Sequence, residues 1–233
     1  MSLYAIADTH LSLLVSKPMD IFGSRWSGYT EKLSALWKNI VSENDTVIIA
    51  GDISWGMTLE EARDDLLFLD RLPGKKILLR GNHDYWWSTP AKIRAFFERN
   101  EIKSISILQN DSAVCEGVLI CGTRGWYSDE SSSKEDADFA KVSAREALRL
   151  RMSLEDGAKK EGYGETVVFT HFPIVFGDFV SREMLDILHE YNVKRAFFGH
   201  IHGKYSLPKS LVYEGIEFSL ISADFLDFRP KPI

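Results

Sequence analysis

Short apolar runs alternate with longer stretches of helical period along this chain. Leu3–Ala7, Thr46–Ala50, Ile77–Leu79 (led in by Lys75-Lys76), Ile105–Leu108, Thr166–Thr170, Lys194–Phe198 and Phe218–Ile221 read as buried strands. Val114–Cys121 reads as a hairpin turned at Glu116-Gly117. Leu33, Leu36, Trp37 and Ile40 share a face at helical spacing, which predicts a helix over Thr30–Val41. Thr58 and Glu61 form a capping-box pair opening a helix to about Leu72, where Pro73-Gly74 stops it. Further helices are expected from Ser88-Thr89-Pro90 to near Asn100, over Asp138–Lys160, and over Ser181–Tyr191. Residues 11–28 have no clean period and read as a long loop, and Ser128–Asp138 as a polar one. No internal repeat or low-complexity linker interrupts the series. This alternation makes the chain α/β.

The apolar runs end in chemistry. Asp8 and His10 follow the first, Asp52 the second, Asn82-His83-Asp84 the third, His171 a later one, and His200 with His202 another. Five of the six histidines lie at such ends; His189, on a helix, reads as a surface or packing residue. In an α/β sheet the carboxyl ends of strands converge on one edge, so residues distant in sequence meet there. Imidazole, carboxylate and amide ligands without thiolate suit Zn, Fe, Mn or Ni. Asp8, His10, Asp52, Asn82, His171, His200 and His202 are enough for two ions if one carboxylate bridges. Two such ions clamp a phosphoryl group and generate hydroxide near neutral pH, which suits in-line displacement at phosphorus.

Composition narrows the partners. At 233 residues the chain fits one domain, with 45% hydrophobic and 27% charged residues, as in ordinary globular proteins. A net charge of −6 argues against a dedicated nucleic-acid-binding face. No apolar run approaches the ~20 residues of a membrane span and no secretory pattern opens the chain, so a cytoplasmic protein is expected. Cys115 and Cys121 read as thiols rather than a disulfide.

Asp8-x-His10, Gly51-Asp52, Gly81-Asn82-His83-Asp84, His171 and Gly199-His200-x-His202 resemble the five motifs of the calcineurin-like metallophosphoesterases. They occur in that family's order and span most of the chain. The resemblance implies a four-layer α-β-β-α sandwich with two mixed sheets, residues 1–233 forming one domain with substrate-site insertions at 11–28 and 123–162. It assigns Asp8, His10 and His202 to one metal ion, Asn82, His171 and His200 to another, and Asp52 to both. The ions would be divalent or trivalent, Mn, Fe or Zn. Asn82 would touch the scissile phosphate, and His83 would touch it or protonate the leaving oxygen rather than bind metal, with Asp84 as its partner or as a cap on nearby backbone. Trp55 stands where the protein Ser/Thr phosphatases of the family carry a second acid, which speaks against a protein substrate.

The implied activity is hydrolysis of a phosphate ester, monoester or diester, by in-line attack of a metal-bound hydroxide. Its substrate would be a phosphorylated small molecule or nucleotide. The alternatives are a non-catalytic scaffold of the same fold that binds protein, and a dinuclear hydrolase of a non-phosphate substrate. Lys17, Arg25, Trp26 and Trp55 are candidates for the pocket wall. Arg124, within Thr123–Tyr127, is expected to contact the substrate phosphate or a second anionic group, because its planar fork matches phosphate oxygens in pairs. Trp86-Trp87 is expected to pack rather than to stack on substrate.

Overall fold

The computed structural model describes residues 1–17, 19–127 and 136–233, with side chains omitted for 136–139. The polar segment expected after Tyr127 lies largely outside the described residues. In chain order the elements are β1 (Leu3–Ile6), α1 (Tyr29–Ile40), β2 (Thr46–Ala50), α2 (Arg63–Asp70), β3 (Lys75–Leu79), α3 (Pro90–Arg99) and β4 (Ile105–Ile107). Then follow β5 (Ser112–Cys115), β6 (Val118–Thr123), α4 (Asp136–Gly157), β7 (Glu165–Thr170), the small hairpin β8 (Val175–Phe176) and β9 (Phe179–Val180), and α5 (Arg182–Glu190). The chain closes with β10 (Arg195–Phe198), β11 (Leu211–Tyr213), β12 (Ile216–Leu220) and β13 (Lys231–Pro232).

Two mixed sheets carry these strands, in the orders β13-β1-β2-β3-β4 and β11-β12-β10-β7-β6-β5. Within them β1–β4 run parallel, as do β12, β10, β7 and β6, while β13, β11 and β5 are antiparallel edges. The period of two along each strand explains the layering. In β2, Val47 and Ile49 point to a core shared with α1–α3, whereas Ile48 and Ala50 enter the core between the sheets. Similarly Val168 of β7 faces the core under α4 and α5, while Val167 and Phe169 face the other sheet. Phe169 stacks on Phe197 there, ring centroids 5.2 Å apart. Three cores thus separate four layers, helix–sheet–sheet–helix, as expected.

Local chemistry sets the element ends. Thr89 caps α3 by accepting the Lys92 N–H, with Pro90 at the first helical position. Glu116 and Gly117, both at positive φ, turn the β5–β6 hairpin. The Thr58/Glu61 pair forms its hydrogen bonds, Glu61 N to Thr58 Oγ1 at 3.2 Å and Met57 N to Glu61 Oε2 at 2.7 Å. It closes a turn that precedes α2, so the helix begins five residues later than the pattern predicts. Residues 11–28 are not featureless: Met19–Phe22 and Ser24–Trp26 form 3₁₀ turns. The edge strands β11 and β13 are not predicted by the pattern. Both cysteines are free, and Trp86 and Trp87 are buried in the core under α1–α3. His189 is exposed, 3.4 Å from Glu214. Among the described residues no helix is long and apolar enough to cross a membrane.

Candidate metal centre

All seven candidate ligands meet at the carboxyl ends of the strands. Four of them, Asp8 (φ 58°), His10 (φ 43°), Asp52 (φ 51°) and His200 (φ 68°), hold a left-handed backbone. That conformation is sparsely populated by residues other than glycine and clusters at functional sites. Glycine makes the close approach possible: a Cβ on Gly81 would lie 2.1 Å from Asp52 Oδ1, and one on Gly199 2.4 Å from Asp8 Oδ2.

Each buried carboxylate divides its oxygens between holding loops and facing imidazoles. Asp52 Oδ1 accepts the His83 N–H at 2.7 Å. Its Oδ2 lies 3.4 Å from His171 Nε2 and 3.7 Å from His10 Nε2. Asp8 Oδ2 accepts the His200 N–H at 2.9 Å, while Oδ1 lies 3.5 Å from His202 Nε2 and 3.9 Å from His10 Nε2. On the other side Asn82 Oδ1 gathers His171 Nε2 at 2.7 Å and His200 Nδ1 at 3.2 Å. Asp52 therefore sits between the two groups of donors.

The donor set fits metal ions. His10 Nε2 and His202 Nε2 point at one another across 3.3 Å. Ligand atoms around a tetrahedral ion with bonds of about 2.0–2.1 Å lie about 3.3–3.4 Å apart. One ligand atom from each of Asp8, His10 and His202, and from each of Asp8, Asp52 and His171, falls within 4.8 Å of the others. The arrangement differs from the motif assignment in one respect: Asp8 also approaches the second group, its Oδ1 being 3.9 Å from His171 Nδ1.

Burial and charge set the protonation of the metal-free centre. Burial alone would lower His171 and His202, but the carboxylates override it. Asp52 and Asp8 hold His171 up at about 9, and Asp8 with Asp224 holds His202 up at about 10. Burial wins for His10 and His200, both pulled to about 4. Asp8 and Asp52 stay ionised, their imidazole neighbours outweighing burial.

Backbone and side chains behind the ligands fix the rings. His171 Nδ1 donates to the Ala50 carbonyl at 3.1 Å, which leaves Nε2 for the centre. His202 Nδ1 lies 2.9 Å from Asp224 Oδ1, and Asp224 Oδ2 accepts the Gly203 N–H. Asp224, wholly buried and absent from the sequence reading, is thus the orienting carboxylate of His202. Its only sequence signal is an acid after the apolar run Phe218–Ile221, the position type shared by every ligand.

His83, Trp55, Trp26, Phe22, Met19 and Tyr205 line a cavity of about 270 Å³ opening on Asp52, His10 and His202. The His83 ring makes no hydrogen bond or ion pair among the described residues, and burial lowers its pKa. Trp55 stacks on His10 with ring centroids 4.9 Å apart and lies 4.5 Å from the His83 ring. Lys17 lies 5.5 Å over Trp55, and Arg25 stacks on Tyr205 at 3.9 Å.

Asp84 and Arg124 stand outside the metal cavity, and of the two roles open to Asp84 its contacts support the backbone cap. Asp84 does not partner His83. Its oxygens accept the N–H groups of Gly81 (2.7 Å), Asp52 (2.8 Å) and Ile53 (2.8 Å) and the Trp86 indole N–H (3.0 Å). A buried carboxylate among unpaired N–H groups satisfies them first. Arg124 does not line the metal cavity. Its guanidinium turns toward buried Glu146, 3.6 Å away, and lines a neighbouring cavity.

The family model of the calcineurin-like phosphoesterases matches residues 1–204. No curated protein matches the sequence. Among solved structures the chain is similar to the phosphopantetheinyl hydrolase of Mycobacterium tuberculosis, with a TM-score of 0.61 at 16% identity, covering 100% of this chain and 95% of that one. A Thermus thermophilus protein gives a TM-score of 0.58 at 11% identity over 99% and 97% of the two chains. An Aquifex aeolicus protein of unknown function gives 0.51 at 17% identity over 99% and 95%. At these identities the structures share the fold. With a family match over most of its length and the Asp/His centre at its strand ends, the chain belongs to the calcineurin-like phosphoesterases, a family of metal-dependent hydrolases.

Proposed function

We propose that this chain hydrolyses a phosphate ester of a small molecule or nucleotide at a dinuclear centre. The observation that carries the reading is the position of Asp52 Oδ2 between His10 and His171, beside a cavity that His83 also faces. Asp8, His10 and His202 would hold one ion, Asn82, His171 and His200 the other, and Asp52 both. The nitrogen and oxygen donors suit Mn, Fe or Zn. Bound there, two ions supply Lewis-acid polarisation of the phosphoryl oxygens and activate water near neutral pH.

The chain's own residues do the rest. His83, whose ring makes no hydrogen bond among the described residues, stands in reach of a group bound at the centre and serves to donate a proton to the leaving oxygen. Burial keeps it neutral when the site is empty, and the negative charge of an arriving phosphate favours its protonated form. Trp26, Trp55, Phe22 and Tyr205 wall the cavity with rings that exclude water and cover an organic leaving group. Segment 11–28 supplies much of that wall. An aromatic wall and Trp55 in place of an acid favour a compact organic phosphate over a protein substrate.

A panel of phosphomonoesters and phosphodiesters, assayed with Mn(II)-loaded protein, tests the reading. Turnover of at least one class, lost on chelation and restored by metal, is expected. Bound metal without hydrolysis of any phosphate ester would point to the scaffold alternative, and turnover of amides alone to a different hydrolase.

A further inference from the structure

A second polar cavity lies at the same strand edge. Arg80 follows β3 and precedes Gly81-Asn82; Arg124 follows β6, and its carbonyl accepts the N–H groups of His171 (3.1 Å) and Phe172 (2.8 Å). With Arg149 and Glu146 of α4, and with Gln109 and Asn110 after β4, they line a space of about 50 Å³. On the scale where one water needs about 10–15 Å³, that is room for about four waters, or for one tetrahedral oxyanion.

The charges there do not balance. Among the described residues of this lining Glu146, wholly buried, is the one carboxylate against three guanidiniums. It is already engaged by Thr123 Oγ1 at 2.7 Å and Arg149 Nη1 at 2.6 Å, with Arg124 Nη2 at 3.6 Å. Arg80 makes no ion pair among the described residues. The Nε–H groups of Arg80 and Arg124 are both buried and have no acceptor among the described residues. A buried donor left unpaired is costly, and native structures keep few of them without reason. Burial, with the positive charges of Arg80, Arg149 and Arg145, pulls the pKa of Arg124 down against the opposing effect of Glu146.

We propose that Arg80, Arg124 and Arg149 form an anion-binding site, separate from the metal centre, that takes one compact oxyanion, a phosphate or a carboxylate. Guanidinium forks match either group in pairs, and the unpaired Nε–H donors supply what Glu146 leaves unmet. The oxyanion is either a pendent group of the substrate or a free anion such as inorganic phosphate.

Calorimetric titration of inorganic sulfate into the full-length chain tests this, once with Mn(II) bound and once after chelation. One sulfate per chain is expected after chelation, and the same binding event is expected with Mn(II) present, beside any sulfate taken up by the metal centre. Arg80→Gln should weaken it about tenfold or more, the scale of a charge-assisted hydrogen bond, with the melting temperature kept because no ion pair is removed. Arg124→Gln serves as the second variant. Absence of metal-independent sulfate binding in the wild type overturns the proposal, as does equal affinity in wild type and both variants. Sulfate binding stands without the phosphoesterase reading; the source of the anion is tested by turnover and rests on it. A loss of kcat/KM in Arg80→Gln confined to substrates with a second anionic group supports a pendent group. Unchanged kcat/KM with weakened sulfate binding supports a free anion.

Discussion

The Asp84 carboxylate accepts the backbone N–H of Asp52 at 2.8 Å, so the acid after one motif holds the ligand of another in place. It also accepts from Gly81, Ile53 and the Trp86 indole, and is wholly buried. Asp84→Ala leaves these donors unpaired in the interior and should cost about 3–5 kcal/mol of stability, read as a lowered melting temperature with loss of metal. A variant that keeps its melting temperature and metal but loses turnover would return Asp84 to the catalytic machinery.

Asp52→Asn is expected to empty both metal positions together. The Asn oxygen is kept by the His83 N–H that Oδ1 accepts, so the amide turns its NH2, which cannot ligate, to the position between His10 and His171. Elemental analysis after reconstitution should fall from about two ions per chain to below one. Two ions at full occupancy in this variant would remove the bridge.

His83→Ala should keep its metal while turnover falls about 10²–10⁴-fold, the range for a positioned proton donor. The ring touches Trp55 and Tyr85 and makes no hydrogen bond among the described residues, so little else depends on it. Substrates with good leaving groups should lose less, since they need little protonation. Equal losses across leaving groups would assign His83 to phosphate binding instead.

Asp224→Asn should weaken metal binding about 10–100-fold, because His202 Nδ1 loses the carboxylate that sets its tautomer and ring angle. Metal titration monitored by competition with a chelating dye reads this directly. Asp224→Glu, whose longer side chain displaces the oxygen, should not fully restore it; full affinity in Asp224→Asn would make the contact incidental.

Metal binding should release protons. Held by Asp52 and Asp8 against the effect of burial, His171 stands at about 9 and His202 at about 10, so both are protonated in the metal-free protein at pH 7.5. Ligation needs the neutral ring, so binding expels about two protons and apparent affinity rises with pH until about 10. Calorimetry in buffers of different ionisation enthalpy counts them. A release near zero at pH 7.5 would mean the rings are already neutral.

That the seven candidate ligands meet was legible because each follows a short apolar run, and parallel strands deliver their carboxyl ends to one edge whatever fills the rest of the sheet. Asp8, Asp52, Asn82 and His171 needed only that rule. The α/β class was legible from the alternation of apolar runs and helical stretches, whereas the four layers were implied by the motif resemblance; runs apolar at every position, such as Val47–Ala50, are indeed covered on both faces.

The contacts of Asp224 and Arg124 were not legible, and Asp84 stood open between partner of His83 and backbone cap. A carboxylate beside an imidazole in sequence serves whichever donors lie nearest in space, and for Asp84 those are N–H groups more than thirty residues away in the Asp52 loop. Asp224 reaches His202 because the chain after β12 returns to the strand edge. Arg124 turns from the metals because α4 sets the buried carboxylate of Glu146 beside it, and opposite charges in a low-dielectric interior find one another first. Local pattern determines which residues arrive at the edge; how the two sheets and α4 stack decides which of them face the same cavity, since cavity walls come from segments that share no local sequence.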